Sequence, residues 1–339
     1  MFNACFRRLS AVCLTALIVV GVITTMVSSV VHAQGTVTAD PLVMGSVHDF
    51  PIPTPGSRPT GIAMGPDGAL WFAESHRNQI GRITIAGKIR EYSLPTRQSQ
   101  PGGITQAHDA LWFTEYGGNR IGRITMSGTI SEYPLPTPYA GPANITEGPD
   151  GALWFTEIDA NQIGRITTSG TISEFPLSTF DSRPDAITQG PDGALWFTEI
   201  DTNQIGRITT TGHLSEFPIP TPSSYPYGIT QGPDGALWFT EYIGKIGRIT
   251  TGGSISEFDI PTPEASPVGI TEGPDGALWF TEYGYYGEKI GRITPTGHFR
   301  EFPVPTLFAV PWAITQGPDQ RLWFTELQGN KIGCISSGR

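Results

Sequence analysis

From about residue 47 onward, short apolar runs alternate with Gly, Pro and Asp at intervals too brief for amphipathic helices. One stretch shows the pattern. Ala186-Ile187-Thr188 begins a strand, Gly190-Pro191-Asp192-Gly193 is a turn, and Leu195-Trp196-Phe197-Thr198 is a second strand. A third strand is expected at Gln204 to Thr209 and a fourth at Leu214 to Pro218. Three successive apolar residues, Leu-Trp-Phe, fit a strand buried on both faces. The prolines fall late in the fourth strand, as suits an outer edge where a missing N–H interrupts no ladder.

The unit repeats to the end of the chain. Its tryptophans are Trp71, Trp112, Trp154, Trp196, Trp238, Trp279 and Trp323, spaced 41, 42, 42, 42, 41 and 44 residues apart. That period is the length of a four-stranded propeller blade, and seven copies imply an all-β, seven-bladed β-propeller over residues 47–339. The last unit stops at Ile332-Gly333-Cys334-Ile335 without its Ser-Glu-Phe-Pro strand, whereas His48-Asp49-Phe50-Pro51 stands unattached before the first unit. The N-terminal strand is therefore expected to complete the last blade and leave no open edge.

Residues 1–33 differ from the rest. Arg7 and Arg8 precede an apolar run from about Ala11 to Val31, and Val31-His32-Ala33 supplies small residues for cleavage. This reads as a secretory signal peptide cleaved near Ala33, with residues 34–46 as a flexible lead-in and a secreted or periplasmic destination. Left uncleaved, the run is long enough to anchor the chain in a membrane. Without it the chain carries 19 basic and 31 acidic residues, a balance that argues against nucleic acid as a partner. Cys334 is then the sole cysteine, so neither a disulfide framework nor a zinc–cysteine site is available.

A residue present in every copy is expected to serve the blade, and one peculiar to a single copy is freer to serve a ligand. Glu74, Glu115, Glu157, Glu199, Glu241, Glu282 and Glu326 end the second strand of all seven units and should ring one face near the axis. Such a ring can hold a divalent cation; alternatively its members bond backbone N–H groups or pair with Arg82, Arg123, Arg165, Arg207, Arg248 and Arg292. Cys334 replaces that arginine in the last unit, which singles out Glu326 as the candidate metal or ligand contact. His108 occupies the Asp position of the turn in the second unit, on the opposite face; His213 and His298 fall in third-to-fourth-strand loops on that same face, whereas His76 lies in a loop on the Glu face.

The most variable position lies just before each inner strand, at Thr60, Gly102, Ala143, Asp185, Tyr227, Val268 and Trp312. Antiparallel pairing places it on the Glu face. Two residues earlier stand Arg58, Arg183, Tyr225 and Val310. Tyr225, Tyr227 and Trp312 can form an aromatic wall, with Arg58, Arg183 and Asp185 as polar anchors of a small-molecule or peptide site; or these side chains simply plug the channel mouth.

The Leu-Trp-Phe-Thr-Glu and Ile-Gly-Arg-Ile-Thr repeat resembles the streptogramin B lyase family of seven-bladed propellers, over residues 47–336. The resemblance implies opening of a cyclic depsipeptide at its ester by elimination, with magnesium as cofactor and histidine as acid–base group. In those lyases the final blade carries Glu-x-His before the inner strand, a Glu at the end of the next strand, and a second His one blade earlier. The matching positions here are Val310, Trp312, Glu326 and Val268, so only the strand-end Glu is retained. Val and Trp transfer no proton. The expected function is therefore a monomeric module that binds a small molecule, peptide or partner protein at the Glu face. The alternatives are a divergent metal-dependent lyase or lactone hydrolase, with Glu326 as a ligand and Asp185 or Glu199 as other candidate acids, and a scaffold without a small ligand.

Overall fold

A computed structural model of the chain describes residues 43–284 and 288–338. The signal-peptide reading and most of the expected lead-in lie outside those residues. Among the described residues there are 28 strands and no helix, arranged as seven four-stranded antiparallel sheets. The fourth blade matches the expected strands closely: Pro184–Gln189, Ala194–Glu199, Gln204–Thr209 and Leu214–Pro218. The seven inner strands contact one another in sequence, and the last returns to the first, so the ring is closed.

Closure follows the expected route. Val47–Pro51 pairs antiparallel with Lys331–Ser336 and supplies the outer strand of the last blade. It reproduces the chemistry of the outer strand it replaces. Phe50 stacks on Trp323 at 5.5 Å, as Phe217 does on Trp196 in the fourth blade. Thr306 Oγ1 donates to Asp49 at 2.9 Å, just as Thr179 Oγ1 donates to Glu216 at 2.6 Å. Within the expected lead-in, Gly45 N donates to Ser336 O, and Met44 packs on the cluster between the last two blades.

The core is divided into seven clusters, each lying between adjacent blades. Trp196, Ile205 and Ile219 of the fourth blade meet Ile229, Leu237, Phe239 and Ile249 of the fifth. Leu195, Phe197 and Ile208 turn the other way, onto Trp154 and Ile163. Pleat alternation thus accounts for the unbroken Leu-Trp-Phe run: both faces of the strand are buried. Gly206 faces the Phe197 ring so closely that a Cβ there would lie 2.1 Å from it, which excludes any larger residue in the third strand. Each buried indole contributes roughly 2–3 kcal/mol through area alone.

The six regular turns lock those indoles. Asp192 Oδ1 accepts the Trp196 Nε1–H at 3.0 Å, and its Oδ2 accepts Arg207 Nε at 2.7 Å, while the guanidinium lies 5.8 Å from the indole centroid. These hydrogen bonds hold the Asp192 carboxyl below its ordinary range against the opposing effect of burial, which is the largest single influence. The repeat arginines therefore pair with the turn aspartates, not with the strand-end glutamates, which corrects one of the two expectations for the ring. In the last blade, where Cys334 takes the arginine position, Arg321 reaches toward both Asp319 and Cys334 Sγ.

Asp192→Ala leaves an indole N–H and a guanidinium without their acceptor and is expected to cost about 2–3 kcal/mol in urea unfolding. His108→Ala, at the same repeat position in the second blade, is expected to stay within about 0.5 kcal/mol because the side chain is exposed.

Candidate functional site

Register places the strand-end glutamates and the linkers before the inner strands at the same end of every blade: Pro59 lies opposite Glu74 and Pro184 opposite Glu199. The glutamates do not line the channel. Glu157 reaches outward over Gly164, whose added Cβ would lie 2.6 Å from its Oε1, and accepts Gln162 Nε2 at 2.6 Å. Beyond it lies Glu174, whose oxygens accept Thr137 N at 3.1 Å and Thr137 Oγ1 at 2.8 Å. The fourth-strand carboxylate thus clasps the linker that enters its own blade, and the second-strand Glu lies beneath it.

All seven second-strand glutamates are buried, and both oxygens of Glu74, Glu115, Glu241, Glu282 and Glu326 lack a hydrogen-bond partner. Burial raises their pKa values, to about 7 for Glu74, Glu115, Glu157 and Glu199 and about 8 for Glu241, Glu282 and Glu326. The neighbouring fourth-strand carboxylate, or Asp49 in the last blade, pushes in the same direction. Glu326 is not exceptional in lacking the repeat arginine, because in the other blades that arginine turns to the turn carboxylate instead; Glu115 has a different one, Arg120, opposite it in register.

The last-blade donors do not fit magnesium. The ion needs a near-octahedral set of accessible oxygens. Val310 is buried and offers none, and Glu326 is sealed beside Asp49 and beneath Gly329. Among the described residues no group of three or more His, Cys, Asp or Glu side chains is placed to hold a metal.

The variable positions and loops form an arc around the mouth instead. In the fourth blade Arg183 Nη1 contacts both Asp201 oxygens at 3.0 Å, and Asn144 Nδ2 donates to Asp185 Oδ1 at 3.1 Å. Burial lifts the Asp185 carboxyl to about 6, against the Arg183 charge and the Asn144 hydrogen bond. Tyr227 lies 5.5 Å from Tyr242, and Tyr242 lies 6.3 Å from Tyr283, which extends the aromatic arc across the fifth and sixth blades. Half-buried Tyr225 and Trp312 belong to the same end, and Val268 is buried. In the first blade Arg58 Nη1 meets His76 Nε2 at 3.1 Å.

Two features of this end escaped the sequence reading. Arg58, Gln100, Arg183, Tyr225 and Val310 share a left-handed backbone, with φ from 49° to 53°. A β-branched residue rarely adopts it. The conformation is held because the residue after each strand-end Glu donates to their carbonyls, as Tyr242 N does to Tyr225 O. In addition, Tyr139, Phe180, Leu307 and Phe308 stand out from the linkers with 76–90% of their surface exposed. Blade-by-blade comparison signals them, since other linkers carry Gly56, Gln98, Ser223 or Glu264 nearby.

A closed seven-bladed propeller with its variable residues gathered on the linkers of one face defines the class. The chain belongs to the virginiamycin B lyase family, whose model matches residues 29–190 and again 178–339. It is 36% identical over 76 residues to a virginiamycin B lyase of Nocardia farcinica, a match spanning 22% of this chain and 27% of that relative. A streptogramin B lyase structure superposes with a TM-score of 0.83 at 44% identity, covering 88% of this chain and 99% of that one. A catalytically inactive variant of the Staphylococcus aureus virginiamycin B lyase with quinupristin gives 0.82 at 46% identity, covering 86% and 99%.

The raised carboxyls fix a pH dependence. Because the folded pKa values exceed the ordinary 4.5, the folded chain binds more protons between that value and 7–8. Their contribution is full below about pH 4.5 and is lost as pH rises through 7 to 8. Thermal melting is expected to rise by roughly 5 °C or more from pH 8.5 to 5.5. Glu241→Gln, which cannot ionise, should melt higher than the parent at pH 8.5 and close to it at pH 5.5.

Proposed function

We propose that this chain is an extracytoplasmic, monomeric binding propeller that holds a small cyclic or linear peptide-like ligand at the linker face without the elimination chemistry of its relatives. The observation that carries the reading is the arc of Tyr225, Tyr227, Tyr242, Tyr283 and Trp312, bordered by the Arg183–Asp201 pair and Asp185. Aromatic faces supply large contact area at low entropic cost, and the charged pairs supply orientation. The exposed Tyr139, Phe180, Leu307 and Phe308 extend the apolar surface outward. One relative is known in complex with quinupristin, which makes a cyclic depsipeptide the natural first ligand to test.

Loss of chemistry is part of this proposal. At the positions where the resemblance expects Glu-x-His and a further His, Val310, Trp312 and Val268 move no proton. The extracytoplasmic role rests on the charged, apolar and small-residue order of residues 1–33. A second reading, a divergent lyase or lactone hydrolase, is favoured by Asp185: its carboxyl, raised to about 6 at the mouth, is suited to accept a proton near neutral pH.

Calorimetric titration with quinupristin separates the two. The binding reading expects a saturable complex from which the ligand is recovered intact, weakened roughly tenfold or more by Trp312→Ala or Tyr227→Ala. Ring-opened product that disappears in Asp185→Asn would overturn it in favour of the enzyme. Absence of binding would overturn the depsipeptide as ligand.

A further inference from the structure

On the face opposite the linkers, the second blade breaks the pattern that locks the other indoles. Its turn is one residue shorter: Ala107 pairs with Ala110, leaving only His108 and Asp109 in the loop, whereas the fourth blade spans the same point with Pro191, Asp192 and Gly193. His108 adopts a left-handed φ of 54° to make the tighter turn. The carboxylate that joins indole to guanidinium in the regular blades is therefore missing here, although both of its donors remain in place. Arg123 lies 5.9 Å from the Trp112 centroid, against 5.8–5.9 Å for the counterparts. Tyr133 stacks on Trp112 at 5.6 Å, as the fourth-strand aromatics do elsewhere.

The two donors are left without the acceptor built into the other blades. Trp112 Nε1–H has no acceptor among the described residues, whereas the six other second-strand tryptophans donate to a turn aspartate at 2.9–3.1 Å. Arg123 touches Asp109 through Nη2 alone, at 3.1 Å, and that carboxylate is 86% exposed. In the fourth blade the Asp192 side chain is 19% exposed and accepts Arg207 through Nε. A cavity of about 300 Å³ opens at this point, lined by His108, Asp109, Trp112, Arg123, Tyr133 and Thr168.

We propose that this cavity is a second binding site, for the carboxylate of a small organic acid. One carboxylate oxygen takes the Trp112 indole N–H and the other the Arg123 Nε–H, reproducing the contacts of Asp192 with Trp196 and Arg207. His108 borders the site, with Nε2 3.2 Å from Gly151 O and 3.7 Å from Glu147 Oε1. Asp109 lines the cavity and Glu147 lies beside His108. Asp109 is solvated and holds only the outer guanidinium nitrogen, and Glu147 faces the imidazole, so neither takes the vacated position. The cavity exceeds what a bare carboxylate fills and suits an acid with several further heavy atoms.

The test uses the whole chain labelled at the tryptophan indole nitrogens and titrated with sodium propionate at constant ionic strength. One indole N–H resonance is expected to shift downfield and saturate, and Trp112→Phe is expected to remove that resonance. Arg123→Gln should weaken the binding by roughly fivefold or more. Replacing Ala107-His108-Asp109 with the Gly-Pro-Asp-Gly turn of the neighbouring blade supplies an internal carboxylate, and should abolish the response while leaving the other indole resonances in place. The proposal is overturned if no indole shift saturates below about 100 mM propionate. It is equally overturned if the shifting resonance survives Trp112→Phe, or if the grafted turn still responds.

Discussion

Each blade is organised around one indole. In the fourth blade Trp196 lies between the aromatic ring of its own outer strand and the aliphatic residues of the next blade, with Arg207 over it and Asp192 at its N–H. That single side chain joins three strands of one sheet, the turn between the first two, and the neighbouring sheet. Burial of so large an apolar surface drives the association, while the hydrogen bond to aspartate fixes where the indole must lie. The third-strand glycine is the complement on the other face, because only a residue without a Cβ allows Phe197 to lie flat across the strand.

With the blades held by their indoles, the ring is tied at its inner edge by a second repeated contact. Threonines of the second strands donate to the carbonyl at the variable position of the next blade, as Thr198 does to Tyr227 O at 2.8 Å and Thr325 to Thr60 O at 2.8 Å. The first blade has Ala73 where that threonine belongs, and there Thr60 Oγ1 donates to Pro101 O at 3.2 Å and Gly102 O at 3.3 Å. The backbone at the variable position is thus committed to the scaffold. Its side chain is left free to differ, which is how a nearly uniform ring carries Asp185, Tyr227 and Trp312 at equivalent places.

The buried carboxyl pairs set a cost against this regularity. Seven glutamates inside the blade interfaces, each beside a second carboxylate, remain compatible with the fold by holding protons near neutral pH. The fourth-strand partner anchors the linker through threonine, and the linker in turn presents the residues of the mouth. Scaffold and site are therefore joined through the same clasp. Irregularity is confined to particular blades: the aromatic arc lies in the fifth to seventh, and the shortened turn in the second.

The sequence alone determined the number of blades, their strands and the closure by the N-terminal segment, because a 42-residue period, an apolar triplet and an orphan outer strand are local patterns whose meaning does not depend on coordinates. It also located the mouth residues at one end, since antiparallel register follows from strand order. The direction of the side chains was decided by tertiary structure. Glu326 and its six counterparts read as a ring near the axis, yet they lie buried beside the outer-strand carboxylates, with Glu157, Glu199 and Glu282 over glycine, and the six repeat arginines lie three residues away in register, opposite tryptophan. The left-handed backbone at Arg58, Tyr225 and Val310 left no trace in residue type, because the hydrogen bonds that impose it come from the next strand. His108 was visible as a substitution, but what it removed, an acceptor shared by Trp112 and Arg123, exists only where three strands and a turn meet in space.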